Sequence, residues 1–136
     1  ALAGDVTPER IAALSADDIQ KCGMTMKKAV TIAGIAKTVL SGELDPDALR
    51  TLSDDDVVTR LTALDGVGLW TAEMVLIFAL GRRDVVSWGD LAIRRGMTRL
   101  YGLETLTRDE FLRYRRRYSP HGSVASLYLW ALAAGR

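Results

Sequence analysis

The sequence predicts an all-α fold, a compact multi-helix domain, on three observations. Ser, Thr and Asp recur just ahead of short segments that begin with Pro or acidic residues and stop at Gly. Apolar residues inside those segments recur at three- and four-residue spacing. No segment alternates apolar and polar side chains over five positions, as a half-buried strand requires.

Each element follows from its own punctuation. Thr7 before Pro8-Glu9-Arg10 reads as an N-cap with proline in the first helical turn, opening a helix to about Leu14. Ser15-Ala16-Asp17-Asp18 reads as a capping box for a second short helix that stops near Cys22-Gly23. Thr25 caps a longer helix with Ala29, Ile32, Ile35, Ala36 and Val39 inward, and Gly42 closes it. Pro46–Leu52 and Ser53–Leu64 give two more, the latter with Val57, Val58, Leu61 and Leu64 inward. After Gly66-Val67-Gly68 a strongly apolar helix is expected from Trp70 to Leu80, burying Ala72, Val75, Leu76 and Ala79. Gly81 to Asp84 turns the chain, and Val85 to Trp88 is short and extended. Asp90 opens a helix through Ile93, Met97 and Leu100, Thr107 caps one through Phe111 and Tyr114, and Ser123–Ala134 forms the last.

The chain has 136 residues, which fits one domain spanning residues 1–136 with a real but modest core. One cysteine, Cys22, excludes an internal disulfide and a Cys-ligated zinc or iron–sulfur site built by this chain alone. A reduced, cytoplasmic setting (bacterial or archaeal) is the expectation. No apolar run approaches the roughly 20 residues that span a bilayer. The start, Ala1-Leu2-Ala3-Gly4-Asp5, lacks the basic-then-apolar layout of a signal peptide, and its lack of Met suggests a start inside a longer reading frame. Net charge is +1, but it is unevenly spread: residues 1–65 carry eleven Asp/Glu against seven Lys/Arg, and residues 81–117 carry ten Arg against five Asp/Glu. A near-neutral chain with that distribution can present a local basic face to nucleic acid.

Positions 61–76, LTALDGVGLWTAEMVL, place a Gly-x-Gly turn between two helical segments. That is the layout of a helix-hairpin-helix, in which glycines let backbone amides approach a DNA phosphate and the following helix presents unpaired N–H groups to it. A glycine-rich helix linker has the same short signature. The longer pattern resembles the L-P-G-I-G-x-W-T-A-E-M motif of the helix-hairpin-helix-GPD superfamily of DNA glycosylases, most of all the 3-methyladenine DNA glycosylase II group. Asp65 stands where that family usually has Pro. Positions 81–96, GRRDVVSWGDLAIRRG, are similar to the family's G-R-x-D-V-x-x-x-x-D-L-x-x-R-R stretch, and the match puts the family's catalytic carboxylate on Asp90. By position alone Asp90 is also a good N-cap, and the two roles are compatible.

The chemistry implied is hydrolysis of an N-glycosidic bond. Positive charge builds on the sugar as the bond breaks, and a carboxylate held nearby stabilises it and helps orient water. A base made cationic by alkylation leaves with little help from an acid. Trp70 occupies the position where the bifunctional endonuclease III branch has the Lys that forms a Schiff base, so the resemblance implies a monofunctional enzyme. That branch's four-Cys cluster is absent too. Trp70 and Trp88 fit either an aromatic pocket for a flipped, cationic base or the core.

Positions 118–130, YSPHGSVASLYLW, resemble the family's P-(W or Y)-R-S-x-A-x-x-Y-L-W segment, with His121 and Gly122 replacing the aromatic and Arg. His121 is thus a candidate wall of the base pocket or a plain surface residue. Gly66, Val67, Gly68, Thr71, Arg94 and Arg95 are the expected DNA contacts. The resemblance also implies a monovalent cation (Na+ or K+) on the main-chain carbonyls of Thr62, Leu64 and Val67, and no required cofactor. It further implies helices ahead of this sequence, including a Gln-rich, Ser-containing stretch whose neighbouring apolar or Gln side chain wedges into the DNA where the base leaves. Without them the domain is incomplete at its N-terminus, and exposed apolar surface favours self-association or partner helices. The reading is therefore a monofunctional glycosylase removing damaged, alkylated bases flipped from duplex DNA in base excision repair. The alternatives are a non-catalytic or truncated helix-hairpin-helix DNA-binding module and an ordinary helical domain.

Overall fold

A computed structural model describes residues 4–136, and every regular element among them is helical. The chain groups into two compact units, one ending at Gly68 and the other beginning at Leu69.

The first unit is a run of capped helices: α1 (Pro8–Ala12), α2 (Ala16–Gln20), α3 (Met26–Leu40), α4 (Pro46–Leu49) and α5 (Asp54–Thr62). Thr7, Ser15, Thr25, Asp45 and Ser53 each accept a backbone N–H of the first turn, and three Asp residues open α5 where the helix dipole favours negative charge. At Ser15 the box is modified. Asp18 accepts the Ser15 hydroxyl at 2.7 Å, where a capping box would have it take the backbone amide. Helices α1 and α2 both pack on α3, and Ile19, Ala29, Ala36, Leu49, Val57 and Leu61 are buried. The helix expected to reach Leu52 ends at Leu49, continuing as turns through Leu52.

The second unit contains α6 (Leu69–Met74), a π-helical turn over Val75–Ala79, α7 (Leu91–Tyr101), α8 (Arg108–Arg116) and α9 (Gly122–Ala133). The sequence predicts one α-helix over 70–80. Instead the Leu80 N–H reaches the Val75 carbonyl at 3.0 Å, five residues back. The wider turn shifts the buried face, so Ala72 and Leu76 are inside as expected while Ala79 is exposed and Val75 only half-buried. Leu100, expected inward on α7, is likewise exposed.

The core of this unit is Val86, Ile93, Met97, Phe111 and Leu129, with Trp88, Tyr101, Tyr114 and Trp130 packed around it. Helices α7 and α9 meet backbone to backbone: a Cβ on Gly96 would collide with the Leu129 carbonyl. Arg99 of α7 donates to the carbonyls of Leu132 and Ala133 at 2.7 and 2.8 Å, closing the C-terminal end of α9.

Two serines of α9 satisfy the extended segment that leads to α7. Ser123 accepts the Val85 N–H at 3.0 Å and donates to the Arg82 carbonyl, and Ser126 donates to the Val85 carbonyl at 2.8 Å. Asp84 anchors the turn before it. Its carboxylate takes Arg115 at 3.1 Å, the Ser119 hydroxyl at 2.9 Å and the Gly122 N–H at 3.0 Å. The segment carrying residues 85–90 is thus held from outside itself.

Candidate active site

Asp90 is the N-cap of α7, in extended backbone at φ −87° and ψ 111°. Its Oδ1 accepts the N–H groups of Ala92 and Ile93 at 2.9 and 3.0 Å. Its Oδ2 accepts two indole N–H groups, Trp70 at 2.8 Å and Trp130 at 3.1 Å. A carboxylate offers about four lone-pair positions, and four donors fill them here. Asp90 is 7% exposed. Burial pushes its carboxyl up, but the Trp70 indole, the Ile93 amide, the Trp130 indole and the Ala92 amide together bring it below the ordinary aspartate value. Among the described bonds no cationic side chain reaches this buried anion.

That arrangement limits the chemistry. A carboxylate whose lone pairs are filled by donors gives up a hydrogen bond to take a proton, so it is a poor general base. It is well suited to be a fixed negative charge beside a developing cation, in a site where little reorganisation is needed.

The aromatic partners divide unevenly. Trp70, on α6, is 49% exposed, so its indole spans the carboxylate and the surface. Trp130, on α9, stacks on Phe78 with centroids 5.8 Å apart and an interplanar angle of 19°, and Phe78 itself is 67% exposed. For Trp88 the two readings resolve to the core. Its ring meets Phe111 edge-on at 5.2 Å, and the Arg94 guanidinium lies 4.7 Å above it. A turn at residues 88–89, closed by the Asp90 N–H on the Ser87 carbonyl at 3.4 Å, explains why a near neighbour in sequence goes elsewhere. Arg94 is correspondingly half-buried, whereas Arg95 and Thr71 are exposed. His121 is exposed, lies at the start of α9 and lines a shallow groove with Phe78, Arg82, Arg83 and Leu127. No contact joins it to Asp90 among the described bonds.

Two residues of this neighbourhood carry no mark in the sequence reading. Trp130 closes the Y-L-W string and is the second indole on Asp90, a role that no local pattern signals across 40 residues. Glu73 sits one turn after Trp70 on α6 and accepts the hydroxyl of the fully buried Ser87 at 2.9 Å. Burial pushes the Glu73 carboxyl up, the Ser87 hydrogen bond opposes this, and the charge of Asp90 raises it further.

At the hairpin turn the two glycines differ. Gly66 has φ +83°, and a Cβ there would run into Thr31 of α3, so the first unit's own packing demands glycine. Around Gly68 there is open space on the side a Cβ would take, and the fold itself does not require its absence. Within the turn, the Leu64 carbonyl accepts the Val67 N–H at 3.2 Å. Among the described residues no group of three or more His, Cys, Asp and Glu side chains is placed to hold a metal ion. Nor is any helix among them long and apolar enough to cross a membrane.

Comparison with known proteins agrees with this architecture. DNA-3-methyladenine glycosylase 1 of Schizosaccharomyces pombe is 34% identical over 126 residues, covering 91% of this chain and 55% of its own. The structure of the S. pombe 3-methyladenine DNA glycosylase in complex with abasic DNA superposes with a TM-score of 0.82 at 34% identity, over 91% of this chain and 61% of that one. The DNA-3-methyladenine glycosidase of Bacillus halodurans gives 0.80 at 36% identity, over 97% and 62%. The chain therefore spans a little over half the length of these relatives. The model of the HhH-GPD superfamily of base excision DNA repair proteins matches residues 2–120. With that match covering most of its length, and with an all-helical fold shared with solved glycosylases, the chain belongs to the HhH-GPD superfamily.

Proposed function

We propose that this chain carries the catalytic site of a monofunctional DNA glycosylase that hydrolyses the N-glycosidic bond of alkylated bases flipped out of duplex DNA. The observation that carries the reading is the Asp90 carboxylate, buried yet ionised, held by two indoles and two helix-terminal amides. As the bond to an alkylated base lengthens, the sugar gains positive charge and the departing base loses it. A fixed anion near C1′ lowers the energy of that state, and water then attacks the sugar.

A covalent route through an amine finds no lysine in the segment that builds the site. Position 70 is Trp, and no lysine occurs anywhere in residues 69–136. The same segment supports binding a flipped base, because Trp70 and Phe78 offer exposed rings. Stacking of a cationic base on such a ring contributes about 0.5–2 kcal/mol. DNA backbone contacts fall to the amides of Gly66, Val67 and Gly68, to Thr71 and to the exposed Arg95, with Arg94 committed in part to Trp88.

The reading also includes a monovalent cation at the hairpin. Main-chain carbonyls of Thr62, Leu64 and Val67 are hard oxygen donors of the kind Na+ and K+ take, and a bound ion would add positive charge beside the phosphate. Replacing the alkali ion by a large organic cation should weaken duplex binding. A cytoplasmic location belongs to the same proposal.

The test is single-turnover release of methylated purines from duplex DNA by the chain and by Asp90→Asn. The substitution removes the charge while keeping the side chain's size, and excision should fall by about 100- to 1,000-fold with DNA affinity retained. Unchanged excision would contradict the proposed chemistry. DNA binding by both proteins without base release would leave only the DNA-binding-module reading.

A further inference from the structure

Asp90 is held from α6 at two heights. Trp70 and Glu73 are one helical turn apart on α6, and their partners Asp90 and Ser87 are three residues apart on the segment they face. The Trp70 indole donates to Asp90 at 2.8 Å, and the Ser87 hydroxyl donates to Glu73 at 2.9 Å. Ser87 is 1% exposed, so its hydroxyl has no solvent alternative. The backbone of the same residue accepts the Asp90 N–H, closing the turn that sets where the carboxylate starts.

We propose that Glu73 is a positioning residue for Asp90, fixing residues 87–90 against α6 through the Ser87 hydroxyl so that the Trp70 indole meets the Asp90 carboxylate in register. This rests on the proposed role of Asp90 but concerns geometry that exists without DNA. Two single-bond contacts, one turn apart on a rigid helix and three residues apart on its partner, define an orientation that either bond alone leaves free to pivot. Loss of the lower contact lets the turn at 88–89 relax. The hydrogen bond to Trp70 then weakens even though neither Trp70 nor Asp90 has changed. An apolar residue at 73 would also strand the buried Ser87 hydroxyl.

The readout is direct, because the chain has three tryptophans and hence three indole N–H resonances. In 1H–15N spectra of the folded chain, Glu73→Ala and Ser87→Ala should move the Trp70 indole resonance towards its position in Asp90→Asn. Glu73→Gln retains an acceptor oxygen for Ser87 and should restore the wild-type Trp70 position. In single-turnover excision, Glu73→Ala should lose up to about 100-fold in rate with unchanged duplex affinity, and Glu73→Gln should recover most of it. A Trp70 resonance unmoved in both folded Glu73→Ala and Ser87→Ala overturns the proposal. So does a Glu73→Gln spectrum matching that of Glu73→Ala. If the resonances behave as stated and wild type releases no base, the positioning role stands and the glycosylase reading fails instead.

Discussion

The two halves of the molecule are built by different rules. In the first, side chains close helices locally: Thr25 caps Lys28, Ser53 caps Asp56, and Lys21 pairs with Asp18 three residues away. In the second, the bonds that matter join residues far apart: Trp70 to Asp90, Trp130 to Asp90, Ser126 to Val85 and Arg115 to Asp84. All four buried polar side chains of the described residues, Ser87, Asp90, Ser123 and Ser126, lie in that second half. Local bonds fix a helix, and distant ones fix a site. A carboxylate held ionised in a nearly buried place needs the second kind, because every donor brought to it must be ordered by packing elsewhere.

This contrast can be broken at three strengths. The largest effect should come from Gly96→Val, which forces a side chain into the Leu129 backbone. We expect a loss of about 3 kcal/mol or more in chemical denaturation, or failure to fold, since the helix pair has no slack to give. Wild-type stability would mean that α7 and α9 are not in close contact.

Next is Arg115→Met, which cuts the link between α8 and the turn at Asp84, 31 residues away. Asp84 sits below the ordinary carboxylate value. Burial raises it, but the Ser119 hydroxyl, the Arg115 hydrogen bond and the Gly122 amide outweigh that. We expect a loss of about 1.5–3 kcal/mol near neutral pH. The sign for pH follows from a depressed folded value. The stabilisation is present above the unfolded pKa and fades as pH falls through the folded one, so the variant and wild type should converge on acidification. A constant gap down to low pH would contradict this.

The smallest effect belongs to Lys21→Met. Its ion pair with Asp18 is solvent-exposed, and its loss should leave the melting temperature unchanged within error. A loss comparable to that of Arg115→Met would erase the distinction between the halves.

The same distinction explains what could be read from the sequence. The helix starts at Thr7, Ser15, Thr25, Ser53 and Thr107 were legible because a cap bonds two or three residues downstream. Asp90 was legible as a cap for that reason, and as a candidate anion only through the resemblance of its surroundings. Its indole partners lie 20 and 40 residues away, at separations that helical periodicity cannot relate. Trp70 was singled out but its hydrogen bond was not. Trp130 ends the Y-L-W string, and nothing in that string ties it to Asp90. The π turn was hidden by its own composition, since Val75 to Leu80 is apolar throughout and carries no phase from which to read a buried face. The choice between pocket and core for Trp88 was open in the sequence, because the turn at 88–89 that sends its ring towards Phe111 has no periodicity to read.

The central claim is that Asp90 works as a permanent negative charge and not as a proton acceptor. The most direct test is the pH profile of single-turnover excision of a methylated purine under saturating enzyme. A carboxylate held below its usual range predicts a rate that stays flat from neutrality down towards the ordinary aspartate value of about 3.9. A rate that instead falls off through a single ionisation near neutrality, and loses that dependence in Asp90→Asn, would make Asp90 a base with a raised pKa and contradict the account.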